Sequence, residues 1–191
     1  EGAVKYTDFA IGKFIKDASK KPWFKDTLFV IVADHSASAA GKTRLPVAGY
    51  HIPLIFYAPA LLKPAVFAPV VSQIDIAPTL VEDSGKNGST QFYGCSFCEP
   101  GTPPQRAFIS NDQALGYMKD NTLTVLLPKQ IVESYQVDPK TWATTPAPVN
   151  NQLVNEAVAY YQTASKAFKT GELKAPFYVK PTATAAPTSA P

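Results

Sequence analysis

Histidine, cysteine and methionine are scarce in this chain, with two, two and one of them in 191 residues. Two cysteines cannot build the multi-bridge framework of a small secreted domain. Charged residues make up only 17%, nearly balanced at a net +3, with Lys and Arg scattered along the chain. That excludes the basic stripe of a nucleic-acid binder. No apolar run approaches the roughly 18–20 residues of a membrane-spanning helix; the longest, Leu28 to Ala33, is strand-sized. No signal peptide opens the chain. It starts on Glu1-Gly2-Ala3-Val4 rather than Met and reads as a piece of a longer polypeptide, with any anchor or export signal expected upstream.

What is present suits a folded domain. Hydrophobic residues reach 46%, enough for one core in a chain of this length. Val4, Ile11, Phe14, Ile15 and Ala18 recur at helical spacing and predict an amphipathic helix from about Val4 to Ser19, ended by Pro22. The run 27–33 has no polar alternation and several β-branched residues, the pattern of a strand buried on both faces in a parallel sheet. Residues 34–46 read as a loop at its carboxyl end. A second apolar strand spans 51–57, and a short helix is expected near Pro78 with Ser72 as its cap. Gly, Pro and Ser then dominate a long loop, 84–105.

Three short strands are expected at 107–110, 116–119 and 123–127, the last two joined by an Asp120-Asn121 turn. A second amphipathic helix is expected from about Gln152 to Lys169. Its stripe runs through Val154, Ala157, Val158, Tyr161, Ala164 and Phe168, with Asn150 or Asn151 capping its start and Gly171 its end. Tyr160, Tyr161 and Phe168 are expected to pack helix against sheet. The fold class is therefore α/β: a partial parallel sheet flanked by helices, with a small antiparallel carboxyl-terminal subdomain. One domain is expected over 1–173. The Pro/Thr/Ala-rich stretch 174–191 reads as a disordered tail.

The chemistry-bearing residues gather after the first strand. Asp34 and His35 follow it directly, where ligands collect in α/β sheets. A carboxylate oxygen beside an imidazole nitrogen suits a divalent cation; a turn-capping Asp and a hydrogen-bonded surface His are the alternatives. His51 opens the second strand, and either contacts an anionic substrate or makes only a local hydrogen bond. Ser36, Ser38, Lys42, Thr43 and Arg44 fill the intervening loop, whose cations either steer an anion or are simply solvated. Gly41-Lys42-Thr43 lacks the earlier glycine of a nucleotide-phosphate loop. Asp75 suits a turn-stabilising role. Cys95 and Cys98 stand as a Cys-x-x-Cys on a loop before Glu99-Pro100-Gly101; a structural pair, a redox pair and half a zinc site all remain open.

The order of these segments is more specific than any one of them. Leu28-Phe29-Val30-Ile31-Val32-Ala33-Asp34-His35 resembles the strand and metal-ligand pair of the sulfatase and lipoteichoic-acid-synthase-like families of the alkaline phosphatase superfamily. His51-Ile52-Pro53-Leu54-Ile55-Phe56-Tyr57-Ala58-Pro59 resembles their next core strand. Ser72-Gln73-Ile74-Asp75-Ile76-Ala77-Pro78-Thr79-Leu80 resembles their Ser-x-x-Asp-x-x-Pro-Thr-Leu segment. The stretches from Arg106, Gly116 and Glu156 resemble the downstream part of bacterial members. The resemblance implies that Asp34 and His35 ligate a divalent ion (Mn, Zn, Ca or Mg), with a nucleophile and a first acidic ligand upstream of residue 1.

It further implies a phospho- or sulfo-ester transferase or hydrolase acting on an anionic ester or phospholipid-derived substrate. That enzyme would be membrane-anchored on the periplasmic face of a bacterial inner membrane, with its own amino-terminal part as partner and no nucleic acid. This chain alone is expected to be inactive. A non-catalytic binding or structural module, and a small redox domain on the cysteine pair, are the competing readings.

Overall fold

A computed structural model describes residues 2–36, 45–83, 92–97 and 105–173. The expected tail at 174–191, most of the 84–105 loop, Cys98, and Ser38, Lys42, Thr43 and Arg44 lie outside the described residues. Two compact units divide the chain: Glu1–Pro69 with Val137–Thr145, and Val70–Gln136 with Pro146–Pro191.

The first unit opens with helix α1, Gly2–Ala18, followed by strands β1, Phe29–Val32, and β2, Leu54–Tyr57. Phe29 is the packing centre. Its ring meets Phe14 of α1 at 5.9 Å, Phe24 at 5.4 Å and Tyr57 of β2 at 6.3 Å. The expected parallel sheet is corrected here. β1 and β2 pair antiparallel, Phe29 opposite Tyr57 and Val32 opposite Leu54. A continuous apolar run reports burial, not strand direction. A parallel return needs a crossover, usually helical, and the described residues between the two strands hold only a 3₁₀ turn, Val47–Tyr50. Val32 and Ile55 are 39% and 49% exposed, so the pair is not covered on both faces within this chain.

The second unit holds helix α2, Ile76–Asp83; strands β3, Arg106–Ser110, β4, Leu115–Lys119, β5, Thr122–Leu127, and β6, Ile131–Val137; and helix α3, Asn151–Thr170, while strand β7, Thr144–Pro146, falls at the boundary of the two units. Strands β3 to β6 form one sheet in sequence order, antiparallel at each pairing. Asp120 and Asn121 take φ of 49° and 58°, which a tight two-residue hairpin between β4 and β5 requires and these residue types tolerate. β6 and β7 were not expected. Their apolar and polar residues are too mixed to show a strand period until the neighbouring strand supplies the pairing.

Helix α3 starts on Asn150, whose side chain accepts from the backbone of Gln152 and Leu153, and stops at Gly171 with φ of 76°. The face it lays on the sheet differs by one position from the expected stripe. Leu153, Ala157 and Ala167 are buried, and Tyr160 and Ala164 continue that row at spacings of four and three. Tyr160 and Tyr161 pack against Phe108 as expected, at 4.9 and 5.8 Å between ring centres. Phe168 does not; it is 79% exposed. The alanines decide the helix orientation because small residues let the helix axis approach the sheet.

Candidate metal centre

Asp34 and His35 follow β1, and local bonds arrange both. The His35 backbone N–H donates to Asp34 Oδ1 at 2.8 Å. The His35 ring places Nδ1 2.9 Å from the Ser36 carbonyl oxygen. A carbonyl only accepts, so this contact puts a proton on Nδ1 and selects the tautomer whose Nε2 carries the lone pair. Nε2 faces Asp34 Oδ2 at 3.6 Å. Two donors about 2.1 Å from one tetrahedral ion stand about 3.4 Å apart, so this spacing fits a shared divalent cation. Both side chains are well exposed, and an ion reaches them without rearrangement of the core. Ser36 anchors the turn by donating its hydroxyl to the Gly49 carbonyl.

The antiparallel pairing settles where His51 lies. The Ala33 amide donates to the Pro53 carbonyl at 3.3 Å, extending the β1–β2 register beyond Val32 and Leu54. The approach to β2 therefore starts at the sheet end where β1 delivers Asp34 and His35. A parallel partner would have carried His51 to the opposite end. The His51 ring rests on Trp142 at 5.0 Å between centroids, an aromatic seat that sequence reading did not anticipate. Trp142 sits far along the chain and takes a left-handed φ of 59°, so no local pattern announces it.

Asp75 is no ligand. It is 2% exposed, and both its oxygens are engaged. Oδ1 accepts from Arg106 Nη2 at 3.1 Å and the Cys95 amide at 3.0 Å; Oδ2 accepts from Arg106 Nη1 at 3.2 Å and the Ser72 amide at 2.9 Å. Arg106 is equally buried, its guanidinium within 5.2 Å of the Phe108 ring centre and 5.4 Å of that of Tyr160. Burial works against its charge, but the hydrogen bonds it donates to Tyr160 and Asp75, together with the Asp75 charge, prevail and raise its pKa. Thr79 completes this knot, donating to the Asp75 carbonyl and accepting from the Phe97 amide. The Cys95 sulfur lies 3.7 Å from Arg106 Nη2. Nothing among the described residues decides between the readings of the Cys95–Cys98 pair. Arg106 is the structural residue that sequence reading missed, since its partner stands 31 positions away.

Residues 2–86 match the sulfatase family. Over that span the chain is similar to sulfatases, and its fold is like that of the alkaline phosphatase superfamily. It superposes on the crystal structure of a protein in that superfamily from Vibrio parahaemolyticus with a TM-score of 0.82 and 30% sequence identity, over 88% of this chain and 41% of that one. The chain thus spans less than half the length of that neighbour. Among its described residues no group of three or more His, Cys, Asp or Glu is placed to hold an ion, so Asp34 and His35 stand as a two-donor set. No helix among them is long and apolar enough to cross a membrane.

Proposed function

We propose that this chain supplies the Asp–His side of the metal centre of a phospho- or sulfo-ester transferase or hydrolase. One observation carries the reading: the Asp34 carboxylate and the His35 Nε2 face each other across 3.6 Å at the end of β1. The sulfatase match over residues 2–86 supports it, because that span includes both. A divalent ion, when bound, supplies Lewis-acid stabilisation of charge on the ester oxygens and lowers the pKa of a hydroxyl nucleophile.

The chain's own residues do the rest on this side. The Ser36 carbonyl holds the imidazole in the tautomer that presents Nε2. The His35 amide fixes one oxygen of Asp34. His51, held by Trp142, offers a nitrogen for an anionic ester oxygen at the same sheet end. Two donors hold a divalent ion weakly. In this proposal the remaining acidic ligand and the nucleophile come from an amino-terminal part of the same domain, and the chain alone does not turn over. The same reading, through the family resemblance, places the enzyme outside the cytoplasm at a membrane and gives it a phospholipid-derived or sulfate-ester substrate.

The test uses two forms of the protein, this chain and the longer polypeptide of the proposal. Mn²⁺ or Zn²⁺ should shift the His35 ring signals of this chain in NMR, and Asp34→Ala should weaken that response about tenfold or more. In the longer polypeptide Asp34→Ala and His35→Ala should each lower metal-dependent ester cleavage by about 100-fold or more. Full activity in the Asp34→Ala enzyme would sink the proposal. A longer polypeptide inert towards every phosphate and sulfate ester, yet still binding metal, would favour the non-catalytic module.

A further inference from the structure

The second unit carries more apolar helix surface than its core uses. Val158 and Tyr161 lie off the Leu153–Ala157–Ala167 row, and with Leu115 and Leu126 of the sheet they line an open groove of about 640 Å³. Tyr161 contributes its ring only. Its hydroxyl is committed to the Gly116 carbonyl at 2.9 Å, and burial pushes its pKa up to about 12. Lys166 and Lys169 stand along the same groove. Neither forms an ion pair among the described residues. The acid nearest in sequence, Glu172, accepts the Thr170 hydroxyl at 2.8 Å. The helix dipole accounts for Lys169 in the last turn but not for Lys166 beside an apolar floor.

We propose that this groove binds a single-chain anionic amphiphile, its alkyl chain on Leu115, Leu126, Val158 and Tyr161 and its acidic head between the two ammonium groups. The volume falls within the roughly 300–1,000 Å³ of small-molecule sites, which are likewise mostly apolar with a few polar groups fixing orientation. A second copy fits less well, because a symmetric contact would bring four lysines together.

The full chain titrated with dodecyl phosphate below its micellar concentration tests this by calorimetry. We expect saturable one-to-one binding, at least about tenfold tighter than that of dodecanol or inorganic phosphate, and weakening with salt. Lys166→Glu with Lys169→Glu should weaken it about tenfold or more, with the circular dichroism spectrum unchanged because both side chains are exposed. Val158→Asp should abolish it. Equal binding by the charge-reversed variant, equal binding of inorganic phosphate, no saturable binding, or self-association on titration would each overturn the proposal.

Discussion

In the first unit the side chains of Asp34 and His35 stand 88% and 74% exposed at the end of a two-stranded sheet. In the second, those of Asp75 and Arg106 are 3% and 1% exposed, joining the start of α2 to β3. Both are an acid beside a nitrogen base, yet they can do opposite things. Asp75 has each oxygen bound twice, so no lone pair remains for an ion and the pair acts as a structural clamp. Asp34 and His35 each make a local bond to the backbone and also face one another. Burial, not residue type, separates an exposed acid–base pair from a fastening.

That contrast can be broken from either side. The largest effect should come from Asp75→Ala, which strands a buried guanidinium. We expect a loss of about 3–5 kcal/mol in urea unfolding. Retention of wild-type stability would mean that the clamp is idle. Gly94→Ala should follow at about 1–3 kcal/mol, because a Cβ there would come within 2.0 Å of the Ile74 carbonyl oxygen.

Smaller and pH-dependent is the cluster that ties α3 to β4. Lys119 donates to Glu156 at 2.8 Å, and this bond, with one from Tyr117, holds the Glu156 carboxyl below its usual range against the cost of its partial burial. A depressed folded pKa stabilises above the unfolded carboxylate value and is lost as pH falls through the folded one. Glu156→Gln should therefore cost at most about 1 kcal/mol near neutrality and nothing in acid. Tyr161 works in the opposite direction. Its raised pKa gives stability that is complete below pH 10 and fades as pH rises towards about 12, and Tyr161→Phe should flatten that alkaline loss. The smallest change in stability should be that of Asp34→Ala, within about 0.5 kcal/mol, although it removes a proposed ligand. A large destabilisation there would make Asp34 a fastening after all.

Much of this was legible from short-range pattern. The α3 boundaries follow from Asn150 and Gly171, the β4–β5 hairpin from Asp120-Asn121, and the juxtaposition of Asp34 and His35 from their place after an apolar strand. Each is a local choice of backbone conformation written in a few adjacent residues. The α3 stripe kept Ala157 and Ala164 but was otherwise misplaced, because Val154, Val158 and Phe168 look more like core than Ala167 does. Hydrophobicity ranks side chains by size, whereas the sheet admits whichever face approaches most closely.

The amino-acid sequence by itself determined the element order, the helix caps and the adjacency of a carboxylate and an imidazole at a strand end, since these need only neighbouring residues. Tertiary structure alone decided the direction of β2, and with it that His51 belongs to the same sheet end as Asp34 and His35. It alone joined Asp75 to Arg106 and set His51 on Trp142. Those outcomes depend on which distant groups meet and which are withdrawn from water, and a linear pattern carries neither.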